Sequence, residues 1–183
     1  MGKPTREEIT KAYHETGHAV IARVLDIRVN LLTTLGVDGV TAAVAETHSA
    51  AYQARDADQE AKIAGLMKDM IVCFAGPHAQ AKHRPPKRKR PSEWSSDLDG
   101  ARSMAATAAL IASGVDVSTL TSSEADLNAD QVAYAEDMAR QASEAARGLV
   151  AEHWATIDRI ANVLLDRPIL NGGDLDKLIL TSE

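Results

Sequence analysis

Residues 14–18 read His-Glu-Thr-Gly-His, a spacing that suits metal chemistry. In a helix of about 3.6 residues per turn, positions i and i+4 lie on one face, so His14 and His18 can direct ring nitrogens at one metal ion. Glu15 is one step round the helix and can reach a water on that metal, whose pKa falls to about 7. The pattern predicts a zinc-dependent hydrolase in which Glu15 takes the proton of the attacking water.

The residues around this motif predict the helix that must carry it, over Pro4 to Leu25. Thr5 followed by Glu8 is a capping-box start. A helix-spaced apolar stripe follows, formed by Ile9, Tyr13, Val20 and Val24. The alternative is a helix whose two histidines only pack or face solvent, but it leaves the paired spacing and Glu15 unexplained.

Composition predicts one compact, mainly α domain over residues 1–183. Hydrophobic residues make up 45% of the chain and aromatic residues only 3%, so the core must consist largely of Ala, Leu, Ile, Val and Met. Two β-compatible runs, Ile27 to Thr33 and Gly39 to Ala45, predict a small β-hairpin or edge sheet after the zinc helix.

Periodicity and capping residues predict the remaining helices. Gly76-Pro77 should break or kink the helix over residues 54–82 near its end. Ser95 or Ser96 should cap the helix over residues 95–113, with Asp97 and Asp99 in its first turn. The predicted helices cover residues 54–82, 95–113, 129–166 with an interruption at Gly148, and 174–180.

The chain shows no signal-peptide pattern in residues 1–8 and no apolar stretch long enough to cross a bilayer. Its single cysteine, Cys73, excludes an internal disulfide and is expected to be a small buried hydrophobe. These observations predict a cytoplasmic protein without a membrane span.

Basic residues are concentrated in one segment, residues 82–92, which is predicted to be a mobile basic loop because its prolines and cations cannot bury apolar surface. A nucleic-acid patch is the alternative. The rest of the chain is acidic and the segment has no interleaved aromatic residues, so nucleic acid is not the expected partner. Its six cations are Lys82, Arg84, Lys87, Arg88, Lys89 and Arg90.

A catalytic zinc usually has three protein ligands, so a third remains to be found. The pattern HExxHxxGxxH is excluded, because this chain has Ile21 and Val24 where that pattern needs glycine and histidine. Spacing alone does not choose among the remaining candidates, which are Glu46, His48, His78, His83, Asp97 and Asp99.

Several segments resemble the FtsH-type ATP-dependent metalloproteases. Residues 12–19 match that family's zinc-helix pattern A-Y-H-E-x-G-H-A at every fixed position. Residues 74–80, Phe-Ala-Gly-Pro-His-Ala-Gln, are a degraded counterpart of its L-G-G-R-A-A-E segment, and residues 95–102, Ser-Ser-Asp-Leu-Asp-Gly-Ala-Arg, resemble its S-N-D-L-x-x-A-T. Weaker similarity covers the W-x-x-I and L-x-G features at Trp154 to Ile157 and Leu170 to Gly172.

The resemblance implies a stand-alone, zincin-like peptidase domain in which Asp97 is the third zinc ligand. Near a helix start, backbone N–H groups and the Ser95 and Ser96 hydroxyls could orient that carboxylate, although Asp97 could equally be a simple capping residue. Glu46 is the second candidate, and the other histidines, His48, His78, His83 and His153, are expected to be structural or exposed. The chain departs from the family at Pro77-His78, Gln80 and Arg102.

No phosphate-binding G-x-x-x-x-G-K-[ST] motif is present, so a separate ATPase or adaptor would have to deliver folded substrates. The expected substrates are peptides or unfolded proteins, which could pair with the strand at Gly39 to Ala45. Two alternatives remain: a catalytically silent, zinc-containing binding or regulatory module, and a structural helical domain without metal.

Overall fold

The computed structural model describes residues 3–35, 44–47, 49–85, 94–117 and 127–180. The fold is mainly α with a small antiparallel sheet, as composition predicted. In chain order the elements are α1 (Arg6–Val24), β1 (Val29–Thr33), β2 (Val44–Thr47), α2 (Ala50–Gln53), α3 (Gln59–His83), α4 (Ser95–Ala112), α5 (Ala129–Glu152), α6 (Trp154–Asp166), β3 (Ile169–Asn171) and α7 (Gly172–Leu180).

Helix α1 is the central element and packs against α3, α6 and the sheet. Its predicted capping box is confirmed: the Thr5 hydroxyl accepts from the Glu8 backbone N–H, and the Glu8 carboxylate accepts from the Thr5 N–H. Residues 12–14 and 16–22 are all buried, because α1 is covered on several sides. The segment that carries the motif is therefore held rigidly inside the fold.

The sheet has the strand order β2-β1-β3, with both pairings antiparallel. The predicted strand at Gly39 to Ala45 corresponds to Val44–Thr47, while residues 36–43 lie outside the described residues. β3 was not predicted, since three residues after Pro168 carry no periodic signal. It pairs Leu32 with Leu170 and places the end of the chain beside β1.

Helix α3 begins with the Asp58 side chain accepting from the Ala61 N–H and continues through Pro77 to His83. Of the predicted break or kink at Gly76-Pro77, the break is therefore wrong; proline removes one internal hydrogen bond, but packing on α1 and α4 holds the helix together. Lys82 and His83, predicted to be in the loop, form the last turn of α3. The rest of that basic segment, residues 86–92, lies outside the described residues.

Two other boundary predictions are wrong. The N-cap of α4 is Trp94, without a side-chain cap, so Ser95 and Ser96 lie inside the helix. The long C-terminal helix is divided at His153, between α5 and α6, and Gly148 stays helical. Asp97 does lie in the first turn of α4, as predicted.

The buried carboxylate of Asp69, on α3, holds the segment that follows β2. It accepts hydrogen bonds from the Ser49 hydroxyl at 2.7 Å, the Ala50 N–H at 2.8 Å and the Ala51 N–H at 2.9 Å. One turn away, an added Cβ at Gly65 would lie only 2.9 Å from the Ala50 carbonyl oxygen, so the two segments are in close contact.

We expect Asp69→Ala to lower the free energy of unfolding by about 2–4 kcal/mol, because it removes a buried carboxylate that accepts three hydrogen bonds from the segment after β2. Urea denaturation of the purified variant measures this loss. Asp137→Ala is the matched control, since Asp137 pairs with Arg140 on the exposed face of α5 and its loss should change stability much less. Equal losses in the two variants would contradict the anchoring role of Asp69.

Thr16 and Thr33 are both fully buried but differ in hydrogen bonding. The Thr33 hydroxyl donates to the Pro168 carbonyl at 2.8 Å, whereas the Thr16 hydroxyl has no hydrogen-bond partner among the described residues. Valine has nearly the same shape as threonine. We therefore expect Thr16→Val to leave stability unchanged or raise it by about 1 kcal/mol, and Thr33→Val to lower it by about 1–2 kcal/mol. Thermal and urea unfolding of both variants measure these changes. A larger loss of stability in Thr16→Val than in Thr33→Val would contradict the prediction.

Candidate metal centre

Two helices bring the predicted metal-binding residues together, and a third helix closes the space behind them. His14 and His18 lie one turn apart on α1, and Asp97 reaches them from the first turn of α4. Each histidine is only 8% exposed. Helix α3 packs behind the histidines and supplies partners for both rings.

The two histidines and Asp97 converge within a small volume. His14 Nε2 lies 3.1 Å from His18 Nε2 and 3.0 Å from Asp97 Oδ2, and His18 Nε2 lies 3.6 Å from Asp97 Oδ1. One potential ligand atom from each residue lies within 4.8 Å of the others. The described residues contain no other group of three His, Cys, Asp or Glu side chains with this geometry.

The outer nitrogens of both rings face hydrogen-bond acceptors. His18 Nδ1 lies 2.7 Å from the Val72 carbonyl oxygen, which can only accept, so this nitrogen carries the proton. His14 Nδ1 lies 2.9 Å from Gln80 Oε1, which also accepts from the Trp94 indole N–H. With the proton on Nδ1, each ring in its neutral form presents the lone pair of Nε2 to the centre of the site.

This arrangement fits a bound cation. Two Nε2 lone pairs and a carboxylate oxygen face one another at about hydrogen-bond distance, without a proton between them in the tautomers just described. Asp97 Oδ2 is buried, and no described residue donates a well-directed hydrogen bond to it. Acceptor atoms in such proximity repel one another unless a proton or a metal ion lies among them, and two imidazoles with one carboxylate are a common zinc ligand set.

The electrostatics of the site also favour positive charge. Burial lowers the pKa of His18, but its contact with Asp97 and the negative charge of Glu15 act more strongly together and raise this pKa above its usual value. Burial likewise raises the pKa of Asp97, yet its contacts with His14 and His18 hold this pKa well below the ordinary value. Asp97 is therefore a carboxylate, as metal ligation requires.

Glu15 lies beside the converging groups on α1 and is partly exposed. Its negative charge contributes to raising the pKa of His18. A partly exposed carboxylate at the edge of a buried histidine pair can contact a substrate or water without itself being a ligand.

Close contact between α1 and α3 depends on two glycines. A Cβ at Gly17 would lie 2.6 Å from Ala79 Cβ and 2.8 Å from the Ala75 carbonyl oxygen. A Cβ at Gly76 would lie 2.6 Å from His18 Cε1 and 2.7 Å from His18 Cδ2, and nearer still to Nε2. The His18 ring therefore lies directly over the backbone of α3, in space that only glycine leaves open.

The other described candidates for the third ligand make their contacts away from His14 and His18. Asp99 is exposed and pairs with Arg102 at 3.0 Å. His78 faces Ser143 on α5, His83 stacks on Tyr13, and His153 lies at the junction of α5 and α6. His48 and the side chain of Glu46 lie outside the described residues.

Cys73 also lies near Asp97 but is not one of the converging groups. Burial, followed by the charges of Asp97 and Asp69, raises the pKa of its thiol to about 12. The thiol is therefore neutral at physiological pH, and Cys73 packs against the core while only partly buried, not fully buried as predicted.

Sequence reasoning did not identify the partners of the histidines. In the sequence, Gln80 stands out only as a departure from the family's glutamate, and no motif includes Trp94. A buried indole N–H needs an acceptor, which is the one signal that could have drawn attention to Trp94.

No protein-family model matches the chain, and no curated protein is significantly similar to it. Among the described residues, none of the helices has the length and apolar character needed to cross a membrane.

Proposed function

We propose that this protein is a zinc-dependent metallopeptidase with His14, His18 and Asp97 as the metal ligands and Glu15 as the general base. The observation that supports this proposal best is the convergence of the Nε2 atoms of His14 and His18 with the partly buried carboxylate of Asp97. The resemblance of residues 12–19 to the FtsH-type zinc helix points to the same chemistry.

Each residue of the site has a defined task in peptide hydrolysis. Bound zinc would lower the pKa of a water molecule and polarise the scissile carbonyl. The Glu15 carboxylate would accept a proton from the water that attacks the peptide carbonyl carbon. It would then deliver this proton to the leaving amine. Val72 and Gln80 hold the imidazoles in the ligating tautomer, and the burial of His14 and His18 limits competition from solvent water.

The sheet supports the choice of substrate class. Among the described strands, β2 lies at one edge of the sheet and β3 at the other, and β2 packs near α1. An extended peptide could add to this edge through main-chain hydrogen bonds, which would give affinity with little dependence on sequence. Peptides and unfolded proteins are therefore the proposed substrates. A cytoplasmic location and delivery by a separate ATPase or adaptor are further parts of this proposal.

Metal content, measured by elemental analysis, tests the ligand set before any substrate is known. We expect about one zinc per chain in the wild type. His14→Ala and Asp97→Ala should lose the metal, whereas Glu46→Ala should retain it. Loss of zinc in Glu46→Ala with retention in Asp97→Ala would transfer the third-ligand role to Glu46.

Two outcomes would overturn the proposal in different ways. A zinc-supplemented wild type that retains no metal would indicate a structural domain without metal. A zinc-loaded wild type that cleaves neither peptides nor unfolded proteins would indicate a silent binding or regulatory module.

A further inference from the structure

We propose that Gln80 and Trp94 form a positioning pair that orients two of the three proposed metal ligands, His14 and Asp97. This inference rests on the proposed metal site and adds a device that assembles it. Two hydrogen bonds to one atom connect this pair to the site. Trp94 Nε1–H donates to Gln80 Oε1 at 2.7 Å, and His14 Nδ1–H donates to the same oxygen at 2.9 Å.

The first bond decides which way the Gln80 amide points. An indole nitrogen can only donate, so the Gln80 atom that faces it must be the oxygen. The same oxygen faces His14, so His14 must also donate from Nδ1, and its Nε2 is left with a lone pair. Without Trp94 the amide could rotate, present its NH₂ group to His14 and reverse the tautomer.

The bond from Trp94 also concerns the third ligand. Trp94 is the N-cap residue of α4, three residues before Asp97, and this cap makes no side-chain hydrogen bond to its own helix. The Trp94 side chain bonds to α3 instead. The start of α4 is thereby tied to the residue that orients His14, so His14 and Asp97 are positioned through one shared atom.

Gln80 is well placed for this role because it is buried. Gln80 is only 6% exposed, and water therefore competes little for its side-chain oxygen. A glutamate here would keep both acceptor contacts, whereas a leucine would fill the space and leave two buried donors without a partner.

Zinc affinity, measured at pH 8 by competition with a chromophoric chelator, tests the pair. We expect Gln80→Leu to weaken zinc binding by about 10–100-fold and Trp94→Phe by about 10-fold. The double variant should be no weaker than Gln80→Leu alone, because both changes remove one linked contact. Gln80→Glu should bind zinc at least as tightly as the wild type.

Gln59→Leu is the matched control. Gln59 lies on the same helix but donates to the Ile111 carbonyl at 2.9 Å, outside the site, so its loss should not change zinc affinity. If Gln80 only filled space, Gln80→Leu would bind zinc normally and the buried charge of Gln80→Glu would impair binding. That pattern would overturn the inference.

The tautomer of His14 gives a second readout that needs no metal. In ¹⁵N NMR spectra of the metal-free protein at pH 8, we expect His14 to carry its proton on Nδ1 in the wild type and in Gln80→Glu, and to show mixed tautomers in Gln80→Leu. A wild type that binds no zinc would overturn the proposed function, yet this spectrum would still test the pair. A wild-type His14 protonated on Nε2 would overturn the pair itself.

Discussion

Replacing Glu15 by Gln should lower the kcat for peptide cleavage by about 10²–10⁴-fold while leaving one zinc bound. Glutamine has nearly the same size as glutamate but cannot accept a proton at physiological pH. The three ligand side chains are unchanged. Cleavage of fluorescein-labelled unfolded casein, with elemental analysis of the same sample, measures both parts of this prediction.

Glu7→Gln is a suitable control for the Glu15 variant. Glu7 lies on the same helix but pairs with Lys11 at 2.8 Å on the exposed side, so its neutralisation should leave turnover unchanged. Full activity in Glu15→Gln would exclude Glu15 as the base. Equal loss in both variants would point to the general charge of α1 rather than to a specific proton transfer.

Replacing Gly76 by Ala should abolish zinc binding, with at least a 100-fold loss of affinity, and lower the free energy of unfolding by about 1–3 kcal/mol. The new Cβ would occupy the place of the His18 ring, which is held by its bond to Val72 and cannot move without losing that bond. Zinc titration and urea denaturation of the metal-free protein measure the two effects separately.

Gly148→Ala makes the same substitution where there is room for it. Gly148 lies inside α5, and a Cβ there would meet no atom of the described residues within 4 Å. Because alanine favours helices, this variant should keep zinc and gain about 0.5–1 kcal/mol in stability. If Gly76→Ala bound zinc as the wild type does, the close approach of His18 to α3 would not be needed for the site.

The positions of His14, Glu15 and His18 could be predicted from sequence because helical spacing is a local property. Asp97 lies 79 or more positions away in the chain. Residue spacing alone left it among six candidates, and the family resemblance singled it out. Its place beside the histidines follows from the packing of α1, α3 and α4, which local patterns do not encode.

The errors in the fold have related causes. Pro77 is ordinarily a helix breaker, but tertiary packing outweighs its local effect in α3. Ser95 and Ser96 are good capping residues, yet α4 begins at Trp94, whose side chain bonds to another helix. β3 has only three residues and depends on pairing with β1, and the register of this pairing joins residues 136 or more positions apart in the chain.

The two-sided pairing of β1 affects how the chain matures during synthesis. Every proposed ligand has been translated once residue 97 is made. The α6 residues that contact Tyr13, which are Trp154 and Asp158, and the strand β3 are made later. Until then, β1 lacks one neighbour and α1 lacks the cover of α6. A growing chain therefore contains all the ligand side chains before it can form the site, and metal capture is expected only after α6 and β3 have been made.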